Sequence, residues 1–139
     1  YGLFSGAINA VNGRYTYFRY PENMETHNLF EYTLMPMHNR SLFEPRELQG
    51  MSLHQGFDFT KGAPLLKIPA LTGAKNSPKQ GSFADTHTAL FDLVKDPQQF
   101  VPIHKPEIED QVLLDIAEEM KRHDAPTELY DRFNLPSEH

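Results

Sequence analysis

The chain contains no cysteine. That removes disulfides, thiolate zinc sites and cysteine nucleophiles in one step, and it leaves the compartment open. No apolar run approaches the roughly 18 residues needed to span a bilayer, so a membrane is not an expected partner. No stretch reads as a secretory signal peptide. Positive charge is also scarce. Lys and Arg number 13 against 19 Asp and Glu, for a formal net charge of −6. With no basic stripe, nucleic acid is not an expected partner either.

What remains is one domain's worth of chain, 139 residues. Hydrophobic residues make up 39%, enough for one core. Ten Phe and six Tyr argue against a wholly disordered chain. Eleven Pro and eight Gly imply short elements and many loops. Tyr1 leads straight into a strand-like run, Leu3 to Val11, so the sequence reads as a piece of a longer protein.

The clearest local signal is Asn12-Gly13, between Ser5–Val11 and Arg14–Tyr20. Asn-Gly between two strand-like runs predicts a hairpin with a type I′ turn, whose two central residues both need positive φ. In the second run Tyr15 and Tyr17 share one face, and Thr16, Phe18 and Tyr20 the other. Asn28 to Met35 reads as a third strand, closed by Pro36. Met37 to Gly62 is irregular by pattern, with one helical turn expected at Glu44–Leu48. Pro64 to Ala70 reads as a short strand, which Pro69 confines to an edge or an end. Thr72 to Gly81 reads as an exposed loop, and Thr88 to Val94 as another strand. The best helix spans 106–124, with Ile108, Val112, Ile116 and Met120 recurring every four residues. Its acids lie at the start and its bases at the end, as the helix dipole favours. A further helical turn is expected at Glu128–Phe133.

These elements predict an α+β fold, a small antiparallel sheet of about four strands packed against a C-terminal amphipathic helix. One domain is expected over 1–139. It divides into the hairpin and third strand (1–35), a long irregular segment (36–86), a strand (87–95) and the helix (106–124).

Three stretches together resemble one family. The first is Gly6 to Pro21, GAINAVNGRYTYFRYP. The second is Glu31 to Pro36, EYTLMP, leading into His38 and Arg40. The third is Ala89 to Pro97, ALFDLVKDP. In order and spacing they are similar to the end of bacterial sulfatases. There a hairpin of the form N-G-R-Y-x-Y is followed by an L-F-D-L-x-x-D-P strand and turn, then a terminal helix. The resemblance covers nearly the whole chain. It departs from the family where an E-x-x-P-L segment is usual, and Gln99-Phe100-Val101-Pro102-Ile103 stands instead.

Sulfatases resemble alkaline phosphatases, with a large N-terminal α/β domain and a smaller C-terminal domain. The resemblance implies that this chain is the smaller domain and that its partner is the N-terminal catalytic domain of the same parent. It also implies a formylglycine nucleophile, made from Cys or Ser in a Cys/Ser-x-Pro-x-Arg motif. With it goes a divalent metal, calcium or magnesium, held by Asp and Asn. None of these has a position here. There is no Cys, no Ser begins the motif, and Ser41 stands four residues before Pro45. No catalytic residue, metal ligand or cofactor is therefore expected within the chain. The alternatives are a non-catalytic binding domain, or part of a related phosphatase or phosphoglycerate-mutase-like enzyme with a Ser or Thr nucleophile.

Other constellations are weaker. The seven His lack HExxH or helical i, i+4 spacing and read as scattered surface residues. No Gly-x-Ser-x-Gly elbow supports a catalytic triad. Asn39-Arg40-Ser41 fits a glycosylation sequon. Lys61-Gly62 lacks the rest of a phosphate loop. His38, Arg40, His54 and Lys61 all lie on the long irregular segment, and His38, Arg40 and Lys61 are the candidate substrate-binding residues. Arg offers an anion a planar fork and Lys a point charge. Against this, such residues often pair with local acids, here Glu44 and Glu47. Aromatics on both faces of Arg14–Tyr20 exceed what one helix covers. The other face must meet the Met37–Gly62 segment, the catalytic domain or a second copy in a homodimer, and an apolar patch is expected on the sheet or beside that segment.

Overall fold

The hairpin anchored by Asn12-Gly13 forms, but with a different turn. In the computed structural model, which describes residues 6–22, 29–38, 40–70 and 87–136, β1 (Ile8–Val11) runs antiparallel to β2 (Tyr15–Arg19). Only Gly13, at φ 85°, has positive φ in the turn. That pattern fits a type II′ turn led by glycine, not the expected type I′. The Asn12 side chain explains the difference. Its Oδ1 accepts the amides of Arg14 (3.3 Å) and Tyr15 (2.9 Å), which keeps Asn12 at the strand end.

Four more strands follow: β3 (Phe30–Thr33), β4 (Ser52–His54), β5 (Leu65–Pro69) and β6 (Ala89–Asp92). Helices α1 (Pro106–Arg122) and α2 (Thr127–Phe133) close the order. The α+β class is as expected, yet among the described residues the strands number six and form two antiparallel sheets of three, β1-β2-β6 and β3-β5-β4. The additional strand, β4, is Ser-Leu-His, too short to show alternation by itself. Residues 44–51 make tight turns instead of a helix, with amide bonds from Glu47 to Glu44 O, Gln49 to Arg46 O and Met51 to Leu48 O.

The chain gathers into two compact units, Tyr1–Met24 with Gly81–His139, and Glu25–Gln80. In the first, Tyr17 and Leu90 from the sheet pack with Val112 and Ile116 of α1, Phe133 of α2 and Leu135. Tyr15 and Tyr17 share the helix face, as alternation requires. On the other face Phe18 meets Phe91 edge to face, with ring centres 6.2 Å apart. The returning chain adds a single bridge beside β6, where the Ile103 amide donates to Leu90 O at 2.8 Å.

Helix α1 starts on Pro106, which has no amide to leave unpaired. The Glu109 carboxylate reaches back to the Lys105 amide at 2.9 Å. The helix ends two residues before the expected 124 because Asp124 turns left-handed, φ 51°, and Ala125 donates to Met120 O at 2.9 Å.

In the second unit, β5 is central. Pro69 sits at its end opposite Phe30, where a missing N–H breaks no ladder. The Ala70 amide donates to Leu29 O at 2.8 Å, so residues 29 and 70 lie side by side. The expected loop at Thr72–Gly81 lies outside the described residues, as do Leu3–Ser5 and Asn28.

Candidate functional site

The candidate site lies within the second unit and is built on β3. Alternation on this strand sets Tyr32 on the side of Lys67 and Ser52, and Glu31 and Thr33 on the side of Ile68 and Leu66. After Pro36 the chain folds back on itself. Met37 bridges Leu42, the His38 amide donates to Ser41 O at 2.7 Å, and the Phe43 amide donates to Pro36 O at 3.0 Å. Between β3 and this small hairpin lies an open cleft of about 770 Å³, lined by Glu31, Tyr32, Thr33, Met37, His38, Arg40, Ser41 and Phe43.

Two of the three expected residues therefore meet. His38 and Arg40 both line the cleft, and Lys61 does not. Lys61 follows the 3-10 turn Asp58–Thr60 in a left-handed conformation, φ 52°, its amide bonded to Asp58 O at 3.1 Å. His54 is not part of the lining either, though it backs one of its walls. Its Nδ1 accepts the Gly56 amide at 3.1 Å, and its ring packs on Tyr32 and Phe57 with centres 5.2 and 4.8 Å apart.

The local acids take up part of the positive charge. His38 Nε2 lies 2.8 Å from Glu47 Oε1, and Arg46 lies 2.8 Å from Glu44. The Glu44 amide donates to Glu47 Oε2 at 2.6 Å. That bond first, and His38 after it, hold the Glu47 carboxyl below the usual carboxylate range. Ionised Glu47 accepts, so Nε2 of His38 donates. Among the described residues no hydrogen bond or ion pair involves the Arg40 side chain.

Sequence reasoning did not single out Tyr32 and Phe43 as cleft walls, though the alternation of Phe30-Glu31-Tyr32-Thr33 carried the signal for Tyr32. Beside the cleft, Lys67 Nζ sits 4.0 Å from the centre of the Phe30 ring and 5.5 Å from that of Tyr32. Apolar side chains stand exposed nearby at Leu34, Met35 and Leu42.

The cleft sets the Arg40 guanidinium in one lining with the rings of Tyr32 and Phe43, but that lining contains no Cys, and its one Ser begins no formylglycine motif. Among the described residues no group of three or more His, Asp or Glu is arranged to hold a metal. The calcium or magnesium and the formylglycine that the resemblance implies do not fit this chain's described residues. Asn39 of the sequon lies outside those residues. No family model, curated protein or solved structure matches the chain.

Proposed function

We propose that this chain is the C-terminal subdomain of a sulfatase-type hydrolase, completing that enzyme's fold and one side of its substrate cleft without supplying a nucleophile. The observation that carries this reading is how the three resembling stretches meet their surroundings. Arg14 of the first is bonded to Asp92 of the third, and the second leads into the cleft that holds His38 and Arg40. Binding and orientation are then the chain's share of the work. Charge stabilisation at sulfur belongs to the parent's catalytic domain.

The test compares the whole parent with the isolated 139-residue chain on 4-nitrophenyl sulfate and 4-nitrophenyl phosphate. The expected result is sulfate-ester turnover by the parent, lost when the Cys or Ser of its Cys/Ser-x-Pro-x-Arg motif is replaced. The isolated chain is expected to turn over neither ester. Sulfatase turnover by the pure chain overturns the proposal. So does a parent active on the phosphate ester alone, or inactive on both.

A further inference from the structure

We infer that Arg40 binds the singly charged sulfate-ester end of a ring-bearing ligand in the cleft, and that His38 positions the Arg40 loop without touching that ligand. The choice of anion rests on the proposed function; the division of labour rests on geometry alone.

The wall opposite β3 is a slight structure. Its stem is two backbone hydrogen bonds and the Met37–Leu42 bridge. A hairpin this small is marginal in water unless something else holds it. The His38 side chain supplies that hold twice. Its ring packs on Phe43, with centres 4.5 Å apart, and its Nε2 donates to Glu47 at 2.8 Å. Glu47 is itself anchored by the Glu44 amide. One nitrogen and one face of His38 are thus committed to the protein.

Arg40 is placed differently. It sits at the crown of the same hairpin and lines the cleft, and no described residue bonds its side chain. Its guanidinium offers a planar fork of donors that matches two oxygens of a sulfate group. Tyr32, Phe43 and Met37 give the cleft apolar surface for a flat ring. Glu31 lines the same cleft and opposes a second negative charge. A monoanionic ester therefore suits the site better than a dianion.

The experiment is an NMR titration of the 139-residue chain with 4-nitrophenyl sulfate, and with uncharged 4-nitroanisole as comparison. The sulfate ester is expected to move the amide signals of Tyr32, Arg40 and Phe43. Loss of the charge, as 4-nitroanisole or as Arg40→Gln, is expected to weaken binding about tenfold or more. His38→Gln keeps an N–H for Glu47 and is expected to bind within about twofold of the natural chain. His38→Ala is expected to bind less tightly and to speed hydrogen exchange at amides 38 and 43.

Absence of sulfate-ester binding overturns the inference, and so does unchanged affinity in Arg40→Gln. Equal losses in His38→Gln and Arg40→Gln make His38 a ligand and overturn it as well. Should His38→Ala not fold, the Gln variants still decide. A parent inactive on sulfate esters, beside a chain that binds them through Arg40, sinks the proposed function and leaves this inference standing.

Discussion

Arg14 and Asp92, 78 positions apart in sequence, meet through Nη2 and Oδ2 at 2.9 Å. Asp92 is the buried partner, its side chain 4% exposed against 51% for Arg14. Its second oxygen accepts the amides of Val94 (3.1 Å) and Lys95 (3.3 Å). One carboxylate thereby ties the hairpin turn to the end of β6 and shapes the turn that follows. The bond from Arg14 first, and the two amides after it, hold the Asp92 carboxyl below its usual range.

The pH dependence of stability follows from that direction. The folded-state pKa lies below the unfolded one, so Asp92 contributes stability above the unfolded value, about 3.9. The contribution is lost as pH falls through the folded value. Asp92→Asn is expected to melt several degrees below the natural chain at neutral pH, with the gap closing as pH falls through the lowered folded-state value. Glu47, shifted in the same direction, is common to both proteins and cancels in the difference. Thermal melts from neutral to acid pH measure this, and a gap that stays constant counts against the assignment.

Two leucines separate core from surface. Leu90 is 1% exposed, and Leu53 is 78% exposed. Leu90→Ala is expected to cost about 2–5 kcal/mol, through lost burial and the cavity left behind. Leu53→Ala is expected to stay within about 0.5 kcal/mol of the natural chain. Urea unfolding of both variants checks the contrast, and similar costs would show that the β1-β2-β6 core is wrongly placed.

Two glycines form a second contrast. Both have positive φ, 85° at Gly13 and 96° at Gly56. A Cβ at Gly13 would meet nothing within 4 Å, whereas one at Gly56 would lie 2.5 Å from Ala63 O and 2.5 Å from Thr60 Oγ1. Gly13→Ala is expected to cost about 1–3 kcal/mol, the strain of a side chain at the glycine that leads a type II′ turn. Gly56→Ala adds the clash and is expected to lower stability further, with the loss seen as faster hydrogen exchange across β4 and β5. Equal effects would place the strain elsewhere.

Much of the first unit was legible because its signals are local or periodic. The Asn12-Gly13 pair marked the hairpin, and the four-residue recurrence from Ile108 to Met120 marked α1. The turn type was not legible, because it depends on Asn12 Oδ1 accepting two later amides. Strand β4 was hidden for another reason. Three residues carry no period, and Ser52–His54 is a strand only because β5 offers it a ladder. At the site, His38 and Arg40 could be nominated from charge and position. That Lys61 lies off the cleft while Glu47 holds His38 depends on how 44–61 turns back, and no residue type announces that.

The bond from Ala70 to Leu29 also bears on how the chain folds. β2 and β6 are neighbours in one sheet, yet residues 20–88 separate them in sequence. Closing so long a loop before any contact rewards it slows pairing. If β3, β4 and β5 assemble first, residues 29 and 70 become a single junction, and only the flanks 20–28 and 71–88 remain to be closed. That lowers the closure penalty by roughly 0.8 kcal/mol, equivalent to a several-fold faster search for the β2–β6 register. The inserted segment then acts as a clip that shortens the chain's reach, and an early-forming β3-β5-β4 sheet would hasten the docking of β6.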